Sequence, residues 1–213
     1  MIKSNFREWT LTKVTRAFGI KQSFKNDLLN DWMACAYEIN DFERQYLLQL
    51  QETLAFGGDD WNETELENKF ISPLIVFARF DNVRYAYFLE RDLALTIGDY
   101  ELSGRVDGMI ASGYREPEKP YFCMSEYKRE SDPTGDPKGQ ALITMLVARE
   151  LNDNNHEKPI YGLYIVGRQW RFMVLDKNEY VISKGFLADD KGIFDIYRIL
   201  KGLRHLIDKL IDG

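Results

Sequence analysis

The N-terminal part of the chain has apolar residues at helical spacing. From about Lys25 to Phe56 the apolar positions recur three and four residues apart, as on one face of an amphipathic helix. The pair Gly57-Gly58 interrupts this pattern, and the two aspartates after it can cap a following helix. We therefore predict that residues 1–60 form a helical N-terminal extension.

A second helix is predicted from about Asn62 to Phe77. Its apolar residues cluster on one face when each residue is advanced by about 100°. These residues are Leu66, Phe70, Ile71, Leu74 and Phe77. Pro73 lies inside the predicted helix, where a proline has no N–H for the helical hydrogen bond, so we expect the helix to kink or end early there.

Beyond Phe80 the pattern changes to the two-residue alternation that is typical of β-strands. Strands are predicted between Tyr85 and Ile97, from Leu102 to Ile110, and from Tyr121 to Lys128. The segment from Ser131 to Pro137 is rich in Asp, Pro and Gly and predicts a loop.

The rest of the chain alternates between helical and strand patterns. The predicted elements are a helix over Lys138–Leu151, strands over Ile160–Val166 and Trp170–Leu175, a short strand over Tyr180–Ile182, and a helix over Ile193–Ile211. The order helix, three strands, helix, two strands, helix predicts an α/β fold with a mixed central sheet flanked by helices. We expect residues 61–213 to form this domain.

The composition limits the class of protein. With 213 residues and 45% hydrophobic content, the chain can bury the core of a full domain. No run of about 18 apolar residues occurs, and Met1 to Thr10 includes charged residues where a secretion signal would be apolar. We therefore expect a soluble, cytoplasmic protein without a membrane partner. The formal net charge of -6 argues against a uniformly basic nucleic-acid coat but leaves room for a local basic groove.

Cysteine and histidine are scarce. Cys35 and Cys123 both lie in apolar contexts that are typical of buried free thiols, and His156 and His205 are the two histidines of the sequence. These four residues are a poor supply for zinc, haem, or a Ser-His or Cys-His catalytic pair. A metal ion in this protein should therefore be a hard ion bound by oxygen ligands.

Charged residues occur in two predicted strands that should be buried. Asp107 lies in the segment Ser103–Gly108, and Glu126 and Lys128 end the next strand. Because strand side chains alternate, Glu126 and Lys128 project to the same face. Asp107 can reach the same point if the two strands pair as a hairpin.

This arrangement suits phosphodiester hydrolysis. Two carboxylates provide the oxygen ligands that magnesium prefers, and the ion polarises the phosphate and lowers the pKa of a bound water. Lys128 would position that water and offset the charge that develops in the transition state. The alternative is a solvent-facing pair of Glu126 and Lys128 with Asp107 in a turn.

These residues make the chain resemble the PD-(D/E)xK nuclease superfamily, especially the nuclease domains of type I restriction motor subunits and related stand-alone proteins. The resemblance covers about Trp61 to Leu175 and rests on Asp107, on Glu126-x-Lys128 and on the order of the predicted elements. Val106 stands where the family name has a proline. The resemblance implies a restriction-endonuclease-like core, magnesium as the cofactor with manganese as a substitute, and hydrolysis of nucleic acid, by default DNA.

The resemblance adds two residues to the site. Related nucleases carry a helix-borne glutamate ahead of a Pro-Leu pair, and Glu63 fits this position best. On the helical wheel Glu63 lies near the centre of the apolar face, while Glu67 lies at its margin and Glu65 points away. Gln140 corresponds to a glutamine that contacts the site or the substrate phosphate. The predicted catalytic set is thus Asp107, Glu126, Lys128, Glu63 and Gln140, with Asp107, Glu126 and Glu63 as the metal ligands.

Other interpretations stay open. Glu63 could merely cap its helix, Gln140 could be a surface residue, and Arg168 at the predicted turn could contact phosphate or be simply solvated. The chain could also be a noncatalytic nucleic-acid-binding or protein-interaction module that keeps the nuclease fold, with the N-terminal helices as a surface for a partner or a homodimer. A small-molecule enzyme of another α/β class has little support, because the sequence has no glycine-rich phosphate loop and no Gly-x-Ser-x-Gly motif.

Overall fold

The structure is a computed structural model that describes residues 1–130, 135–152 and 157–212. Part of the predicted loop Ser131–Pro137 and His156 lie outside the described residues. Within the described ranges, no helix combines the length and the apolar character that a membrane crossing requires.

Helices and two short strands make up residues 2–77, three long strands follow, and a helix, four strands and a final helix complete the described elements. They are β1 (Ile2–Asn5), a 3₁₀ turn (Phe6–Glu8), α1 (Leu11–Phe18), β2 (Lys21–Gln22), α2 (Asp27–Met33), α3 (Asp41–Gly57), α4 (Glu63–Leu66), a π turn (Glu67–Ile71), α5 (Ser72–Phe77), β3 (Tyr85–Ile97), β4 (Tyr100–Ser112), β5 (Glu118–Lys128), α6 (Pro137–Leu151), β6 (Ile160–Val166), β7 (Gln169–Asp176), β8 (Glu179–Ile182), β9 (Phe186–Leu187) and α7 (Gly192–Asp212).

In the described part of the chain, nine strands form one mixed sheet with the order β1-β4-β5-β6-β7-β8-β2. Strand β3 also pairs with β4, and β9 pairs with β7. Strands β3, β4 and β5 are antiparallel neighbours, whereas β5 and β6 are parallel and are connected through α6. The α/β class with a mixed sheet flanked by helices is therefore confirmed.

Helices cover both faces of the sheet. One apolar cluster joins the sheet to α2, α3, α4, α5 and α7, and includes the buried rings of Trp32, Phe70 and Trp170. The second joins it to α1 and α6, and includes Val106 and Met124. Helix α6 is buried along most of its length, so the strand that precedes it, β5, is held between two packed layers.

The N-terminal segment is not the purely helical extension that the apolar spacing predicts. Strand β1 pairs in parallel with β4, and β2 pairs in parallel with β8. These strands have four and two residues, too few for a periodic pattern to reveal them. The helical pattern from Lys25 to Phe56 forms two helices, α2 and α3. Asn40 begins α3 with a capping box: its side chain accepts from the Glu43 N–H at 2.9 Å, and the Glu43 carboxylate accepts from the Asn40 N–H at 3.1 Å.

The predicted helix over residues 62–77 forms and continues past Pro73. It is, however, irregular in the turn before this proline. The turn before Pro73 widens to a π turn, in which the Ser72 N–H donates to the Glu67 carbonyl five residues earlier. Since Pro73 has no N–H to donate, a regular helical bond is missing there, and the wider turn accommodates the proline. Glu63 begins α4 and Glu67 begins the π turn, and because they are four residues apart they lie on the same side of the helix.

Candidate functional site

The candidate site lies where β4 and β5 separate. The pair of their register closest to this point is Gly108 with Ser125, while β5 continues alongside β6 to Lys128. At the separation the Asp107 carboxylate takes the place of a strand carbonyl and accepts the Tyr127 N–H at 2.7 Å. Asp107 is thereby fixed to the middle residue of the Glu126-x-Lys128 segment.

Glu126 and Lys128 lie side by side at the end of β5, and both are buried. The Lys128 Nζ atom is 3.0 Å from Glu126 Oε1 and 3.5 Å from Glu63 Oε2. Burial acts to lower the pKa of Lys128, but the charges of Glu126 and Asp107 outweigh it, and the pKa is raised. The ammonium therefore stays charged at neutral pH. It joins the strand residues to the helix-borne Glu63.

The carboxyl groups of the site are harder to ionise than usual, even with Lys128 beside them. Burial raises the pKa of Glu126, and the charge of Asp107 adds to this effect, although Lys128 opposes it. Burial also raises the pKa of Asp107, against the hydrogen bond from the Tyr127 N–H and the charge of Lys128. A further cation would lower the free energy of the ionised form of both groups.

The helix over α4 and the π turn contributes two glutamates to the site. Glu63 contacts Lys128, and the Glu63 side chain is 39% exposed. Burial, followed by the charges of Asp107 and Glu90, raises the pKa of Glu67 to about 7. The charges of Asp107, Glu90 and Glu63 act on Glu67, so it lies near these carboxylates, although the helical wheel places it at the margin of the apolar face. Its spacing of four residues from Glu63 was the signal available in the sequence.

Glu65 lies apart from this cluster. Its carboxylate is 2.6 Å from Lys69 Nζ and accepts the Asn62 N–H at 3.2 Å. The helix cap at this point is therefore made by Asn62 and Glu65, not by Glu63.

Gln140 is buried in the first turns of α6, with 2% of its surface exposed. Its Nε2 atom lies 2.6 Å from the point where a Cβ on Gly135 would be. Gln140 is therefore not a surface residue. Its contact with a substrate stays a prediction.

Strand β3 adds a carboxylate that the sequence did not single out. Glu90 lies between Leu89 and Arg91, which pair with Gly108 and Val106, the two neighbours of Asp107. Its Oε2 atom is 3.4 Å from Arg105 Nη1. Its φ of 48° is unusual for a residue other than glycine inside a strand. Such backbone geometry is found disproportionately at functional sites.

Tyr127, on the face of β5 opposite Glu126, forms a hydrogen-bonded group with Tyr87 and Ser125. The Tyr127 hydroxyl is 2.5 Å from the Tyr87 hydroxyl and 3.0 Å from Ser125 Oγ. Gly108 leaves room for this group, since a Cβ there would lie 2.5 Å from Ser125 Oγ and 2.6 Å from the Tyr127 hydroxyl. The alternation of Ser125 and Tyr127 on the face opposite Glu126 was the signal for this network in the sequence.

The carboxylates of this site are ligands that suit a hard divalent cation. Their positions, however, do not form a complete set of metal ligands among the described residues. Glu126 is buried and Asp107 partly buried, and the pKa values of both are raised, so a cation would favour their ionised forms. Magnesium commonly binds one or two carboxylates and keeps several waters. Among the described residues, however, no three His, Cys, Asp or Glu side chains come together in a metal-binding arrangement. The Lys128 ammonium lies between Glu126 and Glu63 instead.

Comparison with known proteins does not assign the chain to a family. No protein-family model matches it, and no curated protein is similar to it. The inference about function therefore rests on the residues of the site.

Proposed function

We propose that this chain is a magnesium-dependent nuclease of the PD-(D/E)xK type that hydrolyses phosphodiester bonds, with DNA as its substrate. The observation that carries the proposal is the meeting of Asp107 with Glu126-x-Lys128 where β4 and β5 separate. The mixed sheet, with α6 connecting β5 to the parallel strand β6, is compatible with a restriction-endonuclease-like core.

Each residue of the site has a role in this proposal. Asp107 and Glu126 would hold the ion, and Glu63 would complete its ligands from the helix. The ion, when bound, supplies charge that polarises the scissile phosphate and makes a bound water more acidic. Lys128 keeps its proton, because the surrounding carboxylates raise its pKa. It can therefore donate hydrogen bonds to the attacking water and to the phosphate oxygens.

A noncatalytic binding module is the second candidate, and one observation favours it. Lys128 already forms ion pairs with Glu126 and Glu63, and the described residues include no ready three-ligand metal site. In that case Lys128 would balance the buried carboxylates as part of the fold. Magnesium would then bind weakly or not at all.

Cleavage of defined substrates distinguishes the two candidates. Single- and double-stranded DNA and RNA are incubated with the protein in magnesium, in manganese and in EDTA. We expect cleavage of DNA with either metal and none in EDTA. Failure to cut any substrate with any metal would favour the binding module.

A pair of helix variants makes this test specific to the site. Glu63→Gln removes a carboxylate that contacts Lys128, and Glu65→Gln removes one that pairs with Lys69 on the same helix. We expect Glu63→Gln to reduce cleavage strongly, and Glu65→Gln to leave it close to the wild-type level. Equal effects of the two variants would contradict the role given to Glu63.

A further inference from the structure

The turn between β6 and β7 is attached directly to the end of β5. The Gly167 N–H donates to the Lys128 carbonyl at 2.8 Å. Gly167 has a φ of 54° and lies so close to Glu130 that an added Cβ would be 2.6 Å from the Glu130 Cβ. The backbone that follows Lys128 therefore depends on the conformation of this turn.

Arg168, the next residue of the turn, binds three carboxylates from three different segments. Its Nε is 2.9 Å from Glu130 Oε2, its Nη1 is 2.7 Å from Asp189 Oδ2, and its Nη2 pairs with Asp59. The guanidinium is largely covered, with 26% of the side chain exposed. Its donors bind carboxylates of the protein, and a contact with substrate phosphate would have to displace them.

Two of these carboxylates flank residues of the proposed site. Glu130 is two residues beyond Lys128, and Asp59 is four residues before Glu63. Arg168 thus connects the end of β5 to the segment that leads into α4. The planar guanidinium donates in fixed directions, so it restrains the relative position of the groups it binds more tightly than a lysine would.

We propose that Arg168 is a positioning residue that holds Lys128 and Glu63 in the geometry of the site. The inference rests on the proposed nuclease function for its kinetic consequence, and on the ion pairs of Arg168 for its structural one. Without the guanidinium, Glu130, Asp59 and Asp189 would repel one another, and the two segments would separate. Ion pairs of this kind contribute little to global stability one by one, so the loss should appear mainly in the geometry of the site.

The kinetic test compares Arg168→Ala with Arg168→Lys and with Arg84→Ala. Arg84 is a matched control: it too binds more than one carboxylate, at 2.6 and 2.7 Å, but it connects the residue before β3 to α7. We expect Arg168→Ala to lower kcat about 10- to 100-fold with KM near the wild-type value, because small displacements of catalytic groups have effects of this size. Arg168→Lys should restore part of kcat, and Arg84→Ala should leave kcat unchanged. An unchanged kcat in Arg168→Ala, or an equal loss in Arg84→Ala, would overturn the proposal.

Amide hydrogen exchange tests the positioning role without a cleavage assay. In Arg168→Ala we expect faster exchange over residues 59–63 and 128–130 and unchanged protection in β7. If Arg168→Ala does not fold, the variant Asp59→Asn with Glu130→Gln removes the same two contacts at side chains that are 76% and 48% exposed. It should show the same local change.

The two measurements separate this inference from the proposed function. Faster local exchange in a protein that cuts no substrate would support the positioning role and contradict the nuclease. Unchanged exchange in a protein that does cut would overturn the positioning role and leave the nuclease in place.

Discussion

Lys128 is the residue through which the strand and helix parts of the site meet, since its ammonium is 3.0 Å from Glu126 and 3.5 Å from Glu63. Carboxylates bind a hard cation, and an ammonium cannot. We therefore expect Asp107→Ala and Glu126→Ala to lose both magnesium binding and cleavage. Lys128→Ala should lose cleavage and still bind magnesium, with a rise of about 3 kcal/mol or more in the activation free energy. Calorimetric titration with magnesium and a cleavage assay on the same preparations measure the two effects.

Full cleavage by Lys128→Ala would contradict the catalytic role of the lysine and leave the ligand roles of Asp107 and Glu126 standing. Tight magnesium binding by Glu126→Ala would contradict the ligand role of Glu126.

Glu67 predicts a pH dependence of the metal-free protein. Burial and the charge of Asp107 raise its pKa from 4.5 to about 7 in the folded state. Below the lower value both states are protonated and the contribution of Glu67 to stability is fully present. Above 4.5 the carboxyl group ionises in the unfolded state but stays protonated in the folded state, so the contribution falls with rising pH and is lost once the pH passes about 7. The free energy of unfolding in EDTA should thus fall between pH 4.5 and 7.

Glu67→Gln should make this decline smaller in urea unfolding experiments at pH 5 and pH 7. The decline should not vanish, because the pKa values of Asp107 and Glu126 are raised as well. Glu65→Gln is the control on the same helix, since the pKa of Glu65 is lowered by its hydrogen bond from Lys69. A decline as large in Glu67→Gln as in the wild type would show that Glu67 is not in the cluster.

The residues on strands were easier to predict than those on other elements. Glu126 and Lys128 could be placed on one face because alternation along a strand is a local property. Asp107 could be joined to them because consecutive strands often pair. The four-residue spacing places Glu67 on the same side of the helix as Glu63, but the distances of Glu67 and Glu90 from Asp107 depend on how the helix packs and on the register of β3 with β4, which the sequence pattern does not give.

Gly108 of β4 packs so closely against side chains of β5 that a larger residue should destabilise the fold. A Cβ at this position would lie 2.5 Å from Ser125 Oγ and 2.6 Å from the Tyr127 hydroxyl, both in a buried hydrogen-bonded group. We expect Gly108→Ala to destabilise the fold by about 1 to 3 kcal/mol, the usual cost of overpacking. Ser103→Ala, at an exposed position of the same strand, should change stability by less than about 0.5 kcal/mol. Urea unfolding of the two variants measures the difference, and equal stabilities would contradict the close approach at Gly108.

Elements with many periodic positions could be predicted from the sequence, and short ones could not. Helix α6 and strands β5, β6 and β7 follow the apolar pattern closely, because their buried sides face packed layers. Strands β1 and β2 have four and two residues, and they are defined by the strands they pair with. The π turn before Pro73 reflects the position of a proline in a helix that is held by packing on both sides, which a wheel of regular turns does not represent.

The α/β class and the flanking helices of the whole molecule follow from the order of predicted elements. The prediction of a helical extension over residues 1–60 does not hold for β1 and β2, because these strands belong to the sheet. The division of the chain into domains stays a prediction. So does a partner surface on the N-terminal helices, although α3 exposes Phe42 and Phe56. The net charge of -6 means that nucleic acid approaches an acidic protein, so binding through a few basic residues should be modest and should weaken as salt is added.

The proposed nuclease function requires that Asp107 and Glu126 bind magnesium and that hydrolysis of DNA depends on this ion. The most direct measurement follows one wild-type preparation through three steps: cleavage in magnesium, after EDTA is added, and after magnesium is restored in excess. Glu126→Gln is carried through the same steps. We expect wild-type cleavage to be lost in EDTA and to return with magnesium, and we expect no cleavage by Glu126→Gln at any step. Cleavage that persists in EDTA, or that is equal in the two proteins, would contradict the proposed function.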